Sequence, residues 1–363
     1  MDILPFHFRT LQLCGMWYED NRFVILKIIY RITAMFVVFT VIIGQFIRLI
    51  TMQDNIDDLS DNLFITLTFI SFCLKILNFI IRRHEMEDLL HDFRLPVYQS
   101  RSFEEEKIIL EYSNTAKNIF FFFLCITQIS GIILLIMPIL ISTDNVFYLP
   151  YKTYRPYSTS NISFWITYAM QVFTSFYGIS LNVSLDTMTY GFIILTVGQF
   201  KINSYRLINC TLSIKDFIIH HKLIQNTAIK IESFFICVIV PHFFFTLLVI
   251  CCSIFQISQK PVASYEFFTI CMYIICILWE IFFYCWFGNE LGLQSQSVAD
   301  SLYSSKWLSC TTQEKRNLWL AMLYAQSGSN ISFHGQCTLS LRTFLWIIKT
   351  SYALFSLLKQ ISN

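Results

Sequence analysis

Seven stretches of this chain are each long and apolar enough to cross a lipid bilayer, and no other feature restricts the fold as much. A spanning helix needs about 20 apolar residues to cover a hydrocarbon core of about 30 Å. The stretches lie at residues 30–50, 63–81, 119–142, 162–200, 233–257, 266–287 and 339–360. The fourth is too long for one crossing, so it is expected to run on into water as a helix. Composition agrees. The 363 residues are 55% hydrophobic and 14% charged, with 37 Phe, whereas soluble domains carry about 25% charged residues. A soluble core cannot hide that much apolar surface, so lipid must be the solvent for much of it. The expected fold class is an all-α polytopic membrane protein with seven transmembrane helices. A net charge of +2 gives no reason to expect a nucleic-acid partner.

Orientation follows the Lys/Arg bias of the connecting loops. The stretch after the first span, "TMQDNIDDLSDN", has no Lys or Arg, and the other loops on that side hold only Lys152, Arg155 and Lys260. The alternate loops hold seventeen basic residues, among them Arg9, Arg22, Arg82, Arg83, Lys201, Arg206, Lys306 and Lys315. The N-terminus is therefore expected in the cytoplasm and the C-terminus outside. That topology is inverted relative to a G-protein-coupled receptor. "MDILPFHFRTLQLCGMW" lacks a basic start, an apolar core and a cleavage site, so the first span is expected to act as signal anchor. The domain reading is a cytoplasmic segment at 1–29, four spans within 30–200 and a cytoplasmic helical extension at 201–232. Two spans follow within 233–287, then cytoplasmic anchor helices at 288–338 and a last span within 339–363.

No catalytic or metal pattern stands out, and the reading is neither an enzyme nor a cofactor protein. His220–His221 lack a Cys or carboxylate at ligand spacing and read as a solvated helical face. His242 follows Pro241 and reads as a helix-kink position rather than a cavity residue. None of the twelve Cys lies in a loop assigned outside, so Cys73, Cys125, Cys251 and Cys276 read as small apolar packers. Lys75 is expected to snorkel toward the cytoplasmic end of its span. Sequons occur at Asn161, Asn182, Asn209 and Asn330, and only Asn161 falls outside.

The sixth span continues without a Pro into "WFGNELGLQSQSVADSLYSSKW". Leu291, Val298, Leu302 and, less strictly, Trp307 recur on one face of this polar segment. That is a helix leaving lipid with one apolar stripe still to bury. "TTQE" then reads as a capping box on Thr311 or Thr312 with Glu314. A second apolar face follows at Leu318, Met322 and Tyr324–Ala325, and then a Gly/Ser break, "SGSNISFHGQCTLSL".

"YCWFGNELGLQSQSVADSLYSSKW", "LAMLYAQ" and "LSLRTFLWIIKTSYALFSLLKQ", in this order and spacing, resemble the C-terminal third of an insect odorant receptor. Gustatory receptors are the related alternative. Their ending, Thr-Tyr, five apolar residues and Gln-Phe, is not met, because Ser351 precedes Tyr352 and Ile361 follows Gln360. A seven-helix transporter would need paired repeats, and none is visible.

The resemblance implies a heterotetrameric, ligand-gated, non-selective cation channel in the plasma membrane of olfactory sensory neurons. This chain would be the tuning subunit, its partner a conserved odorant co-receptor, its ligand a small volatile odorant. The cytoplasmic helices would form the shared anchor. The last helix would line the pore with Ile348, Ser351, Phe355, Leu358 and Lys359. Read by spacing alone, Phe344, Ile348, Ser351, Phe355 and Leu358 share one face. Lys349, mid-helix, costs about 3 kcal/mol in lipid and must face water or a polar partner. The implied ligand site lies in the outer half of the bundle. Its candidates are Phe64, Thr68 and Phe69 on the second span and Gly131, Leu134 and Leu135 on the third. The fourth contributes Trp165, Tyr168, Met170 and Phe173, and the sixth Phe268, Met272, Tyr273 and Cys276. Tyr168 and Tyr273 lead, since each offers a ring and a hydroxyl.

Overall fold

Each apolar run is a helix, and four of the helices are longer than any bilayer requires. The computed structural model describes residues 3–18, 24–51, 56–140, 149–154, 161–209, 213–262, 264–305, 307–309, 311–326, 328–329, 331–333 and 337–362. Arg22, Arg155, Lys306 and Asn330 lie outside the described residues. In chain order the helices are α1 (Pro5–Leu13), α2 (Val24–Thr51), α3 (Ile56–Ile81), α4 (Arg83–Arg94), α5 (Phe103–Leu140) and α6 (Asn161–Ile208). They continue as α7 (Ile214–Gln259), α8 (Tyr265–Tyr303), α9 (Thr312–Gln326) and α10 (Leu341–Ser362). Seven of them, α2, α3, α5, α6, α7, α8 and α10, are long and apolar enough to cross a membrane.

Helices α5 to α8 run for 38, 48, 46 and 39 residues. At about 1.5 Å per residue each is roughly 57–72 Å long, about twice a hydrocarbon core. The surplus is the polar start of α5, end of α6, start of α7 and end of α8, so all four overhangs fall on one side. The 201–232 region, read as a helical extension, is shared by two helices. Its first residues finish α6 at Ile208, and α7 begins at Ile214. Ser213 caps α7 by accepting the Asp216 N–H at 3.1 Å, and no Gly or Pro interrupts the helix before Pro241. At α5, Ser102 accepts the Glu105 N–H, and Glu104, Glu105 and Glu106 fill the first turn, where negative charge favours a helix start.

Buried charge ties these overhangs together. Arg206 is fully buried at the end of α6. It donates to Glu105 Oε1 at 3.0 Å and Oε2 at 2.8 Å, and to the carbonyls of Val97 and Gln99 at 2.9 and 2.7 Å. A charge at this depth is tolerable because a fork of donors meets a matching set of acceptors. His220 and His221, expected on a solvated face, are also buried. His220 Nδ1 lies 3.1 Å from Asn203 Oδ1, and the His221 ring packs between Phe200 and Phe217. Helices α6 and α9 cover this part of α7, which local periodicity does not reveal.

The α8 stripe behaves as expected, with Leu291, Val298 and Leu302 fully buried. Helix α9 packs against it. Its capping box is formed: the Thr311 N–H donates to Glu314 Oε2 at 2.8 Å, and the Glu314 N–H to Thr311 Oγ1 at 3.4 Å. These bonds hold the Glu314 carboxyl below its usual value. On α9, Leu318 and Ala325 are buried and Tyr324 is exposed. In the Gly/Ser break β1 (Ser332–Phe333) pairs antiparallel with β2 (Cys337–Thr338), the only strands among the described residues. Cys14, Cys73, Cys125, Cys237, Cys251, Cys252, Cys271 and Cys276 form no disulfide.

The sequence reading left the start of the chain without structure. Instead α1 tucks into the bundle, burying His7, Phe8 and Leu11. The Tyr177 hydroxyl of α6 donates to the Cys14 carbonyl at 2.7 Å. Burial pushes the His7 imidazole down to about 3 and the Cys14 thiol up to about 12.

Candidate functional site

A cavity of about 180 Å³ lies among α3, α5, α6 and α8. Most of its wall is apolar. Phe64 and Phe69 come from α3, Phe123 and Leu134 from α5, Ile179 and Val183 from α6, and Ile277 from α8. Gly131 makes part of the room, since a Cβ there would stand 2.5 Å from Ile179 Cδ1. Polar groups are few. The hydroxyls of Thr68 and Tyr273 hydrogen-bond each other, and Phe64 meets the Tyr273 ring edge-on at 5.3 Å. Tyr151, in the segment between α5 and α6, also lines the cavity. Its hydroxyl donates to Ser175 Oγ at 3.2 Å. Gln171 grips its backbone, accepting the N–H at 3.1 Å and donating to the carbonyl at 3.0 Å. The Tyr154 N–H donates to the Gly44 carbonyl of α2, so residues 149–154 are held at two points.

Beneath the cavity sits a buried set of charges. Lys75 Nζ of α3 lies 2.7 Å from Asp186 Oδ1 on α6 and 2.8 Å from Glu280 Oε1 on α8, and donates to Asn182 Oδ1 at 3.1 Å. His242 of α7 places Nε2 3.0 Å from Glu280 Oε1 and Nδ1 2.8 Å from Ser71 Oγ. The Tyr284 hydroxyl donates to Asp186 Oδ1 at 2.8 Å. Two sequence expectations are thereby corrected. Lys75 does not snorkel, because two carboxylates on neighbouring helices already meet its ammonium. His242 is not merely a kink residue, because its ring is wedged between Ser71 and Glu280 and lines a second, smaller cavity of about 30 Å³. Asp186 and Glu280 escaped the sequence reading altogether. Their signal was an acid deep inside each of two apolar runs, which in a membrane marks function by default. Among the described residues no group of three or more His, Cys, Asp or Glu could hold a metal ion.

Comparison with known proteins meets this geometry. The sequence model of one family, described as "7tm Odorant receptor", matches residues 55–352. The chain belongs to the 7tm odorant receptor family. Odorant receptor 13a of Drosophila melanogaster is 30% identical over 58% of this chain and 57% of its own length. Odorant receptor 46a, isoform A, of the same organism is 22% identical over 97% of this chain and 96% of its own. The fold matches the insect olfactory receptor OR5 from Machilis hrabei, solved in complex with eugenol, with a TM-score of 0.88. That match has 17% identity and covers 99% of this chain and 97% of the other. The family match favours the odorant over the gustatory reading.

Within this odorant receptor the structure sorts the candidates. Phe64, Thr68, Phe69, Gly131, Leu134, Tyr273 and Cys276 line the cavity together. Leu135, Trp165, Tyr168, Met170, Phe173, Phe268 and Met272 are not among its lining residues. Leu135 is buried elsewhere, accepting at 3.4 Å from the Tyr168 hydroxyl. Trp165, Phe173 and Phe268 are exposed on the outside of the bundle. On α6 the cavity lies deeper, at Thr174, Ser175, Gly178, Ile179, Asn182 and Val183. On α10, Ile348, Phe355 and Leu358 are half-buried and Lys359 is exposed. Ser351 is fully buried and donates to the Leu247 carbonyl of α7 at 3.0 Å. Its hydroxyl is committed inside the chain and is withdrawn from the expected pore face.

Proposed function

We propose that this receptor binds small, mostly apolar odorants in the cavity between α3, α5, α6 and α8, and so opens a non-selective cation pore lined by α10 of several subunits. The cavity carries this reading. At about 180 Å³ it slightly exceeds the roughly 150 Å³ apolar cavity that accepts benzene, so a ligand of about ten heavy atoms fits. Apolar walls with few polar groups suit such a ligand.

Support for a multi-subunit pore comes from α10. Lys349 lies near mid-helix on its exposed face with Leu345, Trp346 and Tyr352. A lysine facing lipid there costs about 3 kcal/mol, so that face is better matched to pore water or a neighbouring subunit. By similarity the partner is a conserved co-receptor in a heterotetramer in the plasma membrane of olfactory sensory neurons, with the N-terminus cytoplasmic. Ile348, Phe355 and Leu358 would narrow the pore, with Lys359 at its outer mouth, since apolar constrictions gate by dewetting. Coupling has a direct route. Helix α8 lines the cavity with Tyr273 and Cys276 and meets α10 through Phe282 and Phe344, whose rings are 5.7 Å apart. A ligand that binds better when α8 shifts outward favours the open state by that difference.

Whole-cell current recorded with and without the co-receptor, against volatile odorants and under G-protein blockade, tests this. Rapid cation current that needs both chains is expected. Silence with both chains at the surface, across a broad panel, would overturn it.

A further inference from the structure

The hydroxyls on the cavity wall differ in whether their protons are already placed. A hydroxyl has one proton to donate, and once that is committed it can only accept. Thr127 donates to the Phe123 carbonyl at 2.6 Å, and Thr68 to the Phe64 carbonyl at 2.9 Å. The proton between Thr68 and Tyr273 is therefore the tyrosine's, and it too is committed. Ser130 turns to the Cys276 sulfur. At the floor Glu280 is met by Lys75 and His242.

Ser175 is different. Its oxygen accepts from the Tyr151 hydroxyl at 3.2 Å, and its own proton meets no acceptor among the described residues. No side chain at position 131 screens it, since Ser175 Oγ lies 3.6 Å from where a Gly131 Cβ would stand. Thr174 also has an uncommitted hydroxyl, but that oxygen is shielded from any approach. Asn182 gives one amide proton to Asp186 at 2.9 Å and keeps the other at the floor, two helical turns or about 10 Å below Ser175. The upper cavity thus holds several acceptors and one reachable donor. An odorant's own proton has a choice of partners there, whereas its acceptor oxygen has one. A carbonyl buried without a donor is strongly disfavoured, so this donor decides whether a carbonyl is admitted.

We propose that Ser175 determines specificity in the odorant cavity, and that the receptor takes small ketones, aldehydes and esters whose carbonyl oxygen accepts the Ser175 proton. This rests on the reading of the cavity as the odorant site. The neighbours of Ser175 suit the role. Gln171 grips the Tyr151 backbone on both sides, so the tyrosine hydroxyl is held against the serine oxygen. That bond occupies a serine lone pair and leaves the proton for the ligand. Phe64, Phe69 and Phe123 then receive the hydrocarbon part.

The test uses a matched pair, acetophenone and isopropenylbenzene, which share one skeleton and differ by a carbonyl oxygen or a CH2 group at the same place. Both are titrated by thermal shift of the purified full chain and by current from the co-expressed channel. Ser175→Ala alone would free the Tyr151 proton to take over. The comparison is therefore between Tyr151→Phe and Tyr151→Phe/Ser175→Ala. Tyr151→Phe should keep the wild-type affinity ratio of the two probes to within about 2-fold, because that hydroxyl faces the serine. Adding Ser175→Ala should weaken acetophenone about 10-fold and isopropenylbenzene by less than about 2-fold. Retained isopropenylbenzene binding also reports that the variant is folded. If it does not fold, Tyr151→Phe/Ser175→Cys, which keeps the size and weakens the donor, should show the same selective loss in smaller measure. An equal loss for both probes, or none for either, overturns the assignment and leaves the odorant cavity standing. So does a wild-type chain that binds isopropenylbenzene but not acetophenone. Failure of both probes, and of a wider odorant panel, removes the cavity reading itself.

Discussion

Helices α6 and α10 both cross the membrane, yet the chain treats them oppositely. In the apolar span of α6, 78% of residues are buried inside the protein; in that of α10 the figure is 11%. Helix α6 touches α1, α2, α3, α5, α7 and α8, whereas α10 leans mainly on α7 and α8. Their charges differ in kind as well. Asp186 of α6 is enclosed by Lys75, Asn182 and Tyr284, while Lys349 of α10 stands on an open face. One helix is the axis around which a single chain folds. The other is presented outward, as a pore-lining helix must be when the pore belongs to several chains. Stability therefore concentrates around α6, and conduction is the work expected of α10.

The sharpest way to break this comparison is to remove one lysine from each region. Lys75→Met strips the shared cation from Asp186 and Glu280, and breaking a buried pair by deleting one partner costs about 3–5 kcal/mol. The unfolding midpoint in detergent and the surface yield should both fall steeply. Lys349→Met should leave the midpoint within about 0.5 kcal/mol, as exposed substitutions usually do, while changing current per surface channel. If Lys349→Met unfolds the chain as readily as Lys75→Met, α10 is not peripheral and the contrast is lost.

Much of this was legible in the sequence. All seven spans were, because a run of about 20 apolar residues has few other fates. So were the α8 stripe and the α9 cap, whose periodicity and residue types are local signals. The cavity was half legible. Residues on α3 and α8 such as Phe64, Thr68, Tyr273 and Cys276, picked from the sequence, do line it together. Trp165 and Phe173 on α6 do not line it, because in a membrane an aromatic facing lipid and one facing a cavity look alike in sequence. Tyr151 carried no signal, since its position depends on Gln171 gripping a loop backbone. Lys75, Asp186 and Glu280 are separated by about a hundred residues each, and only the tertiary fold brings them together.

Acid should loosen the α6 side in a way a single residue can report. The His7 imidazole sits against Phe120, and burial lowers it from 6.5 to about 3. The folded state thus resists a proton that the unfolded state accepts. Stability from His7 is fully present above pH 6.5 and is lost as pH falls toward 3, at up to about 1.4 kcal/mol per pH unit. Detergent unfolding midpoints of wild type and His7→Phe, followed from pH 7.5 to 5, should diverge as acid is added, with the variant the flatter. Parallel curves would show that His7 is not the group being titrated.

A smaller effect is expected inside the cavity. The methyl group of Gly131→Ala would meet Ile179 Cδ1 at 2.5 Å, and the isoleucine tip can yield only by turning into ligand space. Losing room for one methyl is worth about 0.8 kcal/mol to a ligand that fills the site. Dose–response curves should therefore shift several-fold for the largest active odorants and hardly at all for the smallest. A uniform shift across sizes would place Gly131 in helix packing instead.

The weakest effect belongs to the cap on α9, and it completes the contrast because it fails at a different pH. The Thr311 N–H and hydroxyl both donate to Glu314 Oε2 at 2.8 Å and hold that carboxyl below its usual value. A depressed carboxyl stabilises the fold above the unfolded glutamate value of about 4.3, and that contribution disappears as pH falls through the lowered folded value. Hydrogen exchange at the first turn of α9 should stay slow while the α1 region, led by His7, begins to open near pH 6.5. It should quicken only below about pH 4.3. Thr311→Ala removes the hydroxyl donor and should speed exchange in that turn at neutral pH, leaving α1 and the cavity unchanged. If the first turn of α9 instead opens together with α1 as acid is added, the two regions form one cooperative unit, and the division between a central α6 and a peripheral anchor would have to be redrawn.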